Sequence, residues 1–212
     1  MFLETRHLAC ERGGRFLFRG LSLTLDAGEL IEIHGANGSG KSRLLRILAG
    51  ITSDWSGDIR LEVSALYVGH ENGLHPDLTV LQNLEWITSL CGAPKANIDQ
   101  GLKAFGTRHL MHQPCQALSV GQARRVALSR LIYDTSPLWL LDEPTNSLDA
   151  KSVARFDALL ANHLESGGAA VIATHTTGPD KTDSPQAEVR QASPPYGRIQ
   201  ERRRVVTLGD RA

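Results

Sequence analysis

Two apolar rhythms alternate along the chain. Leu21-Ser22-Leu23-Thr24-Leu25 has period two, which predicts a half-buried strand, and Asp26-Ala27-Gly28-Glu29 follows as a turn. Leu30-Ile31-Glu32-Ile33 predicts the next strand, running into a glycine-rich loop from Gly35 to Gly40. The spacing then becomes helical over Ser42 to Leu48, with Gly50 as the C-terminal stop. Ile59-Arg60-Leu61 and Leu66-Tyr67-Val68 predict short strands. From Thr79 onward Val80, Leu81, Leu84, Ile87 and Leu90 keep the helical period. Thr79 and Gln82 fit a capping box there, and Gly92 and Pro94 close the helix. A weaker helix is expected over Ile98 to Phe105, then a polar loop to Leu118. Another helix is expected from Val120 to about Tyr133, with Ala123, Val126, Ala127 and Leu131 on one face.

Leu138-Trp139-Leu140-Leu141 is an unbroken apolar run, the pattern of a strand covered on both faces in a parallel sheet. A helix over Val153 to Leu164, the pair Gly167-Gly168 and the apolar run Ala169 to Ala173 follow. Strand and helix alternate, so the class is α/β. The tail differs. Pro179, Pro185, Pro194 and Pro195 stand among polar residues from Thr176 to Arg204, which predicts loop or partial disorder. Arg202-Arg203-Arg204 reads as a solvated run, and Val205 to Leu208 as an edge strand.

Composition narrows the classes. The 212 residues are 41% hydrophobic and 22% charged, ordinary for one large globular domain or two small ones. Twenty-three Lys and Arg balance 23 Asp and Glu. A net charge of zero argues against a nucleic-acid partner or an anionic-membrane footprint. No apolar run approaches the roughly 18 residues of a bilayer span. Met1 to Cys10 lacks the basic start and apolar centre of a signal peptide. Cys10, Cys91 and Cys115 are odd in number and far apart, which fits a reducing compartment and argues against a disulfide framework or a zinc site.

Four motifs carry chemistry. Gly35-Ala36-Asn37-Gly38-Ser39-Gly40-Lys41-Ser42 matches the phosphate loop G-x-x-x-x-G-K-[ST], between a predicted strand and a predicted helix. Its glycines let successive N–H groups turn toward a phosphate, and the helix dipole points at the same anion. Lys41 supplies a point charge to the β- and γ-phosphates, and the Ser42 hydroxyl suits Mg²⁺. At the end of the second buried run, Asp142 suits Mg²⁺ and Glu143 suits polarisation of an attacking water. Ser119 in Leu118-Ser119-Val120-Gly121-Gln122 can cap the following helix. A γ-phosphate held by Gly40 and Lys41 of one subunit could be closed over by Ser119 and Gly121 of another. His175, just past Ala170 to Ala173, stands at a strand end where it could meet the γ-phosphate or the water.

In this order the four pieces resemble the ATP-binding subunit of ABC transporters, over about Phe2 to His175. Gly35 to Ser42 resembles Walker A, and Leu138 to Glu143 resembles Walker B with its catalytic glutamate. Leu118 to Gln122 resembles the signature motif, with Val120 in place of the usual glycine. Ser147-Leu148-Asp149 is similar to the D-loop and His175 to the switch histidine. The resemblance implies a P-loop NTPase: a RecA-like core, an N-terminal antiparallel β-subdomain and an ABC helical subdomain at about 72–131. Together these make a domain of residues 1–175, followed by a divergent tail, 176–212. It implies ATP and Mg²⁺, a head-to-tail homodimer with nucleotide between Walker A of one subunit and the signature of the other, and an integral membrane permease. Arg12 stands where many members stack an aromatic residue on adenine, His70 where the Q-loop glutamine is expected, and Arg43 where a small hydroxyl residue often follows Ser42.

A narrower resemblance is to the cytochrome c maturation, or heme-exporter, ATPases. Leu8 to Arg15, Tyr67-Val68-Gly69-His70, Gly73-Leu74, Asp77-Leu78-Thr79, Gln82-Asn83-Leu84 and Gln122 to Leu131 carry it. That family implies a peripheral subunit at the cytoplasmic face of the bacterial inner membrane, with a heme-exporter permease as partner. No Cys-x-x-Cys-His motif is present, so covalent heme attachment is not expected. His7, His34, His75, His109, His112 and His163 read as surface or satisfied histidines. Three alternatives share the motifs: a small exporter subunit with another cargo, a soluble ABC ATPase acting on ribosomes or DNA, and a non-catalytic ABC-like binding module.

Overall fold

The structure, a computed structural model, describes residues 1–91, 97–174, 188–191 and 203–208. Strands β1 (Leu3–Arg12), β2 (Arg15–Leu25) and β4 (Ser56–Leu61) form an antiparallel sheet in the order β2-β1-β4. Strands β3 (Leu30–His34), β5 (Ala65–Val68), β6 (Leu138–Asp142), β7 (Ala169–Ala173), β8 (Glu188–Gln191) and β9 (Arg203–Thr207) form a second sheet, ordered β5-β6-β7-β3-β9-β8. Within it β6, β7, β3 and β9 run parallel, and β8 runs antiparallel to β9. Helices α1 (Lys41–Leu48), α2 (Val80–Cys91), α3 (Ile98–Ala104), α4 (Val120–Leu128) and α5 (Ala150–Glu165) complete the described elements, with short 3₁₀ turns between them.

Every residue of β6 and β7 is buried, as the unbroken apolar runs require. Helix α1 packs against both strands, and Ile31, Ile33, Leu44, Leu45, Leu140 and Val171 belong to one core with the β1–β2 hairpin. Residues 1–67, 136–143 and 161–212 make one compact unit; residues 68–135 and 144–160 make another. The second has its own core, built on Val80, Leu84, Leu102, Val126 and Tyr133.

The expected strands over Leu21–Leu25, Leu30–Ile33, Ile59–Leu61 and Leu66–Val68 all form, with longer bounds. Helix α1 ends as expected: Gly50 follows in the left-handed region, φ 70°. The capping box of α2 is present, with Gln82 N donating to Thr79 Oγ1 at 3.2 Å and Thr79 N to Gln82 Oε1 at 2.9 Å. Gly92 and Pro94 lie outside the described residues.

Five expectations are corrected. Leu90 is 69% exposed, while the buried positions of α2 include the polar Asn83 and Thr88. Asn83 is buried because its amide is satisfied, donating to the carbonyls of His75, Leu78 and Thr79 while its Oδ1 accepts from His75 N. A count of apolar positions cannot see such a residue. The helix after Leu118 stops at Leu128 and tightens into a 3₁₀ turn over Ser129–Ile132. There the buried Ser129 hydroxyl donates back to Val126 O at 2.7 Å.

The other three corrections concern the tail. Strand β8 falls inside the expected loop, and β9 lies between β3 and β8, so β9 is not an edge. Arg203 is no part of a solvated run: it is 5% exposed and ion-paired with the buried Glu32. Parallel pairing puts Arg203 opposite Leu30, hence on the face that Glu32 shares. His34 Nε2 lies 2.9 Å from the same Glu32 oxygen, and Arg204 pairs with Glu29 at 2.8 Å. Burial pushes the Glu32 carboxyl up, but hydrogen bonds from His34 and Arg203 and their charges outweigh it and hold it below the ordinary value.

At the other side of the sheet the His163 ring stacks on Trp139, centroids 3.7 Å apart. Burial depresses the His163 imidazole more than the Ala169 and Pro137 carbonyls raise it.

Arg203→Met is expected to cost about 3–5 kcal/mol in urea unfolding, because Glu32 then stays buried without its cation. The double variant Glu32→Gln, Arg203→Met is expected to recover most of that loss. His163 gives a pH dependence with a defined sign. Its folded pKa lies below the ordinary 6.5, so its contribution is complete above 6.5 and is lost as pH falls, when the unfolded chain takes up the proton more readily. Unfolding midpoints at about pH 7.5 and about pH 5.5 are expected to converge in His163→Phe relative to the parent protein.

Candidate functional site

The site begins where β3 ends. Gly35 has φ 150°, and a Cβ there would meet Ser39 Oγ at 2.5 Å and the Leu208 carbonyl at 2.8 Å. Only glycine lets the chain turn so tightly against the segment that follows β9. Ala36, Asn37 and Gly38 are exposed and Ser39 is buried. The Ser39 hydroxyl has no hydrogen-bond partner among the described residues. Gly40 caps α1 with φ 101°, and its Cβ would press on Leu17 Cβ at 3.0 Å and Phe18 Cδ1 at 3.2 Å. No side chain caps α1, so its first N–H groups open into the loop. Lys41 is 5% exposed and folds back over the loop, its Nζ donating to Gly35 O at 2.6 Å and Ala36 O at 3.0 Å. The result is a ring of backbone donors with one buried ammonium, an anion cradle. Ser42 is partly buried on the first turn of α1. Arg43 turns away, and its guanidinium pairs with Asp54.

The acids arrive from β6. Asp142 and Ile33 are both in register with Ala173, one from each side of β7. At about 4.8 Å per strand, the Asp142 backbone stands roughly 10 Å from the end of β3, where the phosphate loop begins. Asp142 is fully buried and Glu143 is 8% exposed. Glu143 has φ 50°, a left-handed conformation rare for its type, and its N–H donates to Ala173 O at 3.0 Å. Strand ends, loop and acids thus share one edge, where ligands of open α/β sheets bind. His175 follows Thr174 and lies outside the described residues.

The hydroxyl of Ser42 and the carboxylate of Asp142 are hard oxygen donors. Among the described residues no group of three or more His, Cys, Asp or Glu could hold a metal. That donor set fits Mg²⁺, which takes one or two protein oxygens and completes its shell with phosphate and water.

The remaining candidates occupy the second unit, Arg12 excepted. Ser119 caps α4 in a reciprocal box, Gln122 N donating to Ser119 Oγ at 3.2 Å and Ser119 N to Gln122 Oε1 at 2.8 Å. A Cβ on Gly121 would meet the Ser147 carbonyl at 2.7 Å, so the head of α4 and the Ser147 turn need glycine to meet. Val120 is 70% exposed. Asp149 caps α5, accepting from Ser152 N at 2.7 Å, and that bond holds its carboxyl below the ordinary value. His70 is exposed on the loop after β5. Arg12 is exposed at the end of β1, opposite Arg15. The spacing of Ala127, Leu128 and Leu131 places Arg124 on the buried stripe of α4. That signal passed unused, and Arg124 proves to be 3% exposed.

The profile of the ABC transporter family matches residues 18–146. The chain is 46% identical to the cytochrome c biogenesis ATP-binding export protein CcmA of Paracoccus denitrificans, over 91% of this chain and 89% of that one. It is 44% identical to the protein of the same name from Cupriavidus necator, over 84% of each. A solved dimeric ATP-binding cassette, in a post-hydrolysis state bound to ADP and Pi, shares the fold with TM-score 0.72 at 24% identity, over 82% of this chain and 88% of that one. The ATP-binding subunit of another ABC transporter gives TM-score 0.74 at 19% identity, over 82% and 80%.

Lys41→Ala removes the cradle's charge and is expected to weaken ATP binding about 10- to 100-fold in equilibrium titration. Gly35→Ala is expected to abolish binding, because its methyl group displaces Ser39 and Leu208, while the circular dichroism of the chain is retained.

Proposed function

The chain belongs to the ABC transporter family of ATP-binding subunits, and from that premise we propose the roles of its residues and its place in a complex. It is an ATPase of the ABC class. The observation that carries the residue assignment is the shared edge at which the phosphate loop, Asp142 and Glu143 meet.

Water attacks the γ-phosphate in line with the leaving ADP oxygen. Lys41 and the N–H groups from Gly38 to Ser42 stabilise charge as it develops on the phosphate oxygens. Ser42 and Asp142 would hold Mg²⁺, which would supply positive charge to the phosphate oxygens. Glu143 orients the water and takes its proton, and His175 contacts the γ-phosphate side. Ala36, Asn37 and Ser39 shape the loop, and Arg43 contributes through its backbone. Arg12 lies along the base, and His70 contacts nucleotide from its loop. Ser119, Gly121 and Gln122 of a second copy close over the γ-phosphate, with Asp149 at the same seam. The exposure of Ser119 and Val120 at the head of α4 supports that reading.

The complex is a homodimer of this chain on an integral membrane permease, at the cytoplasmic face of the bacterial inner membrane. Among the described residues no helix is long and apolar enough to cross a membrane, so the span falls to the partner. The names of the relatives support a role in cytochrome c biogenesis; a permease of the heme-exporter type follows from the resemblance of Leu8 to Arg15, Tyr67 to His70 and Gln122 to Leu131 to that family. A pull-down from detergent-solubilised membranes tests this directly. Recovery of a permease that handles heme is the expected result, and recovery of an unrelated permease overturns the cargo assignment.

Glu143→Gln is expected to lower phosphate release about 100- to 10,000-fold while leaving ATP binding intact. It is also expected to trap an ATP-dependent dimer in size-exclusion chromatography. Full hydrolysis by this variant would remove Glu143 from its role.

A further inference from the structure

Arg124, on the second turn of α4, is a buried cation whose hydrogen bonds reach two other segments of the same unit. Nη1 donates to Gly69 O and to Asn72 Oδ1, both at 2.8 Å, and Nε donates to Pro144 O at 3.2 Å. The first two acceptors flank His70; the third belongs to the residue immediately after Glu143. An apolar side chain there would leave the Gly69 and Pro144 carbonyls and Asn72 Oδ1 without this donor, so the guanidinium fixes where these segments stand.

The geometry it specifies is a strained one. Glu143 sits at φ 50° and Ser147 at φ 62°, and Asn72 at φ 61° makes a third left-handed position among the segments that Arg124 joins. Non-glycine residues persist there only where the surroundings over-determine them. On its N-terminal side Glu143 is fixed by its own N–H to Ala173 O. On its C-terminal side the Pro144–Thr145 peptide, one residue further on, is held by Arg124 through the Pro144 carbonyl. One turn earlier on α4, the close approach of Gly121 to Ser147 O fastens the same stretch again.

We propose that Arg124 is a positioning residue for hydrolysis. It locks the turn after Glu143, so that the carboxylate stays aimed, and it ties that turn to the loop carrying His70. This rests on the assignment of Glu143 as the group that acts on water.

The test measures single-turnover hydrolysis per bound nucleotide in the purified full chain, which removes any change in the active fraction. Arg124→Met is expected to bind ATP within about twofold of the parent and to hydrolyse it at least tenfold more slowly. Arg124→Lys is expected to recover part of the rate, since an ammonium can still donate to these carbonyls. Asn72→Gly keeps the left-handed turn and loses one acceptor, and is expected to slow hydrolysis a few-fold. In the Glu143→Gln background Arg124→Met is expected to have no further effect, which a purely structural role would not reproduce. Parental rates in Arg124→Met overturn the proposal; if that variant does not fold, parental rates in Asn72→Gly do so. A parent protein that binds ATP without turning it over overturns the hydrolysis reading itself, whatever the variants do.

Discussion

Everything functional in this protein depends on three parallel strands ending level with one another. Ile33, Ala173 and Asp142 lie abreast across β3, β7 and β6. That register sets the glycine loop and two acids on one edge of the sheet. A one-residue slip of β6 would turn Asp142 to the opposite face and carry Glu143 with it. Complete burial of β6 and β7 prevents such a slip, so the hydrophobic core and the catalytic geometry are a single constraint.

Within the second unit the residues proposed to meet the nucleotide also order the fold. Ser119 and Gln122 complete a helix cap, and Asp149 opens α5. A capped helix start is a rigid one, and a rigid N-terminus is what an anion needs to find. Structure and function do not compete here: the hydrogen bonds that order these turns also aim them.

Much of this was legible in the sequence. The phosphate loop declared itself by residue type and spacing, the buried strands by unbroken apolar runs, the α2 capping box by Thr79 three positions before Gln82, and the cap of α4 by Ser119. What escaped was long-range or polar. Glu32 and Arg203 are 171 positions apart, and each alone looks like a solvent charge. Asn83 occupies the buried stripe of α2 that an apolar count gave to Leu90. Arg124 was readable from the period of α4, yet a charge on an apolar stripe argues against itself until its acceptors are known. Local patterns report what a residue prefers, and these four positions are decided by partners that folding supplies.

The β9 strand has a consequence for how the molecule comes into being. Its pairing covers the side of β3 away from β7, and Leu208 donates to the His34 carbonyl just before the cradle opens. During synthesis the glycine turn leaves the ribosome well before the strand that backs it. Until then one flank of β3 offers bare peptide groups to any passing strand. The loop after β3 is therefore backed only once β9 has been made, and a product released before β9 carries an unfinished sheet on that flank.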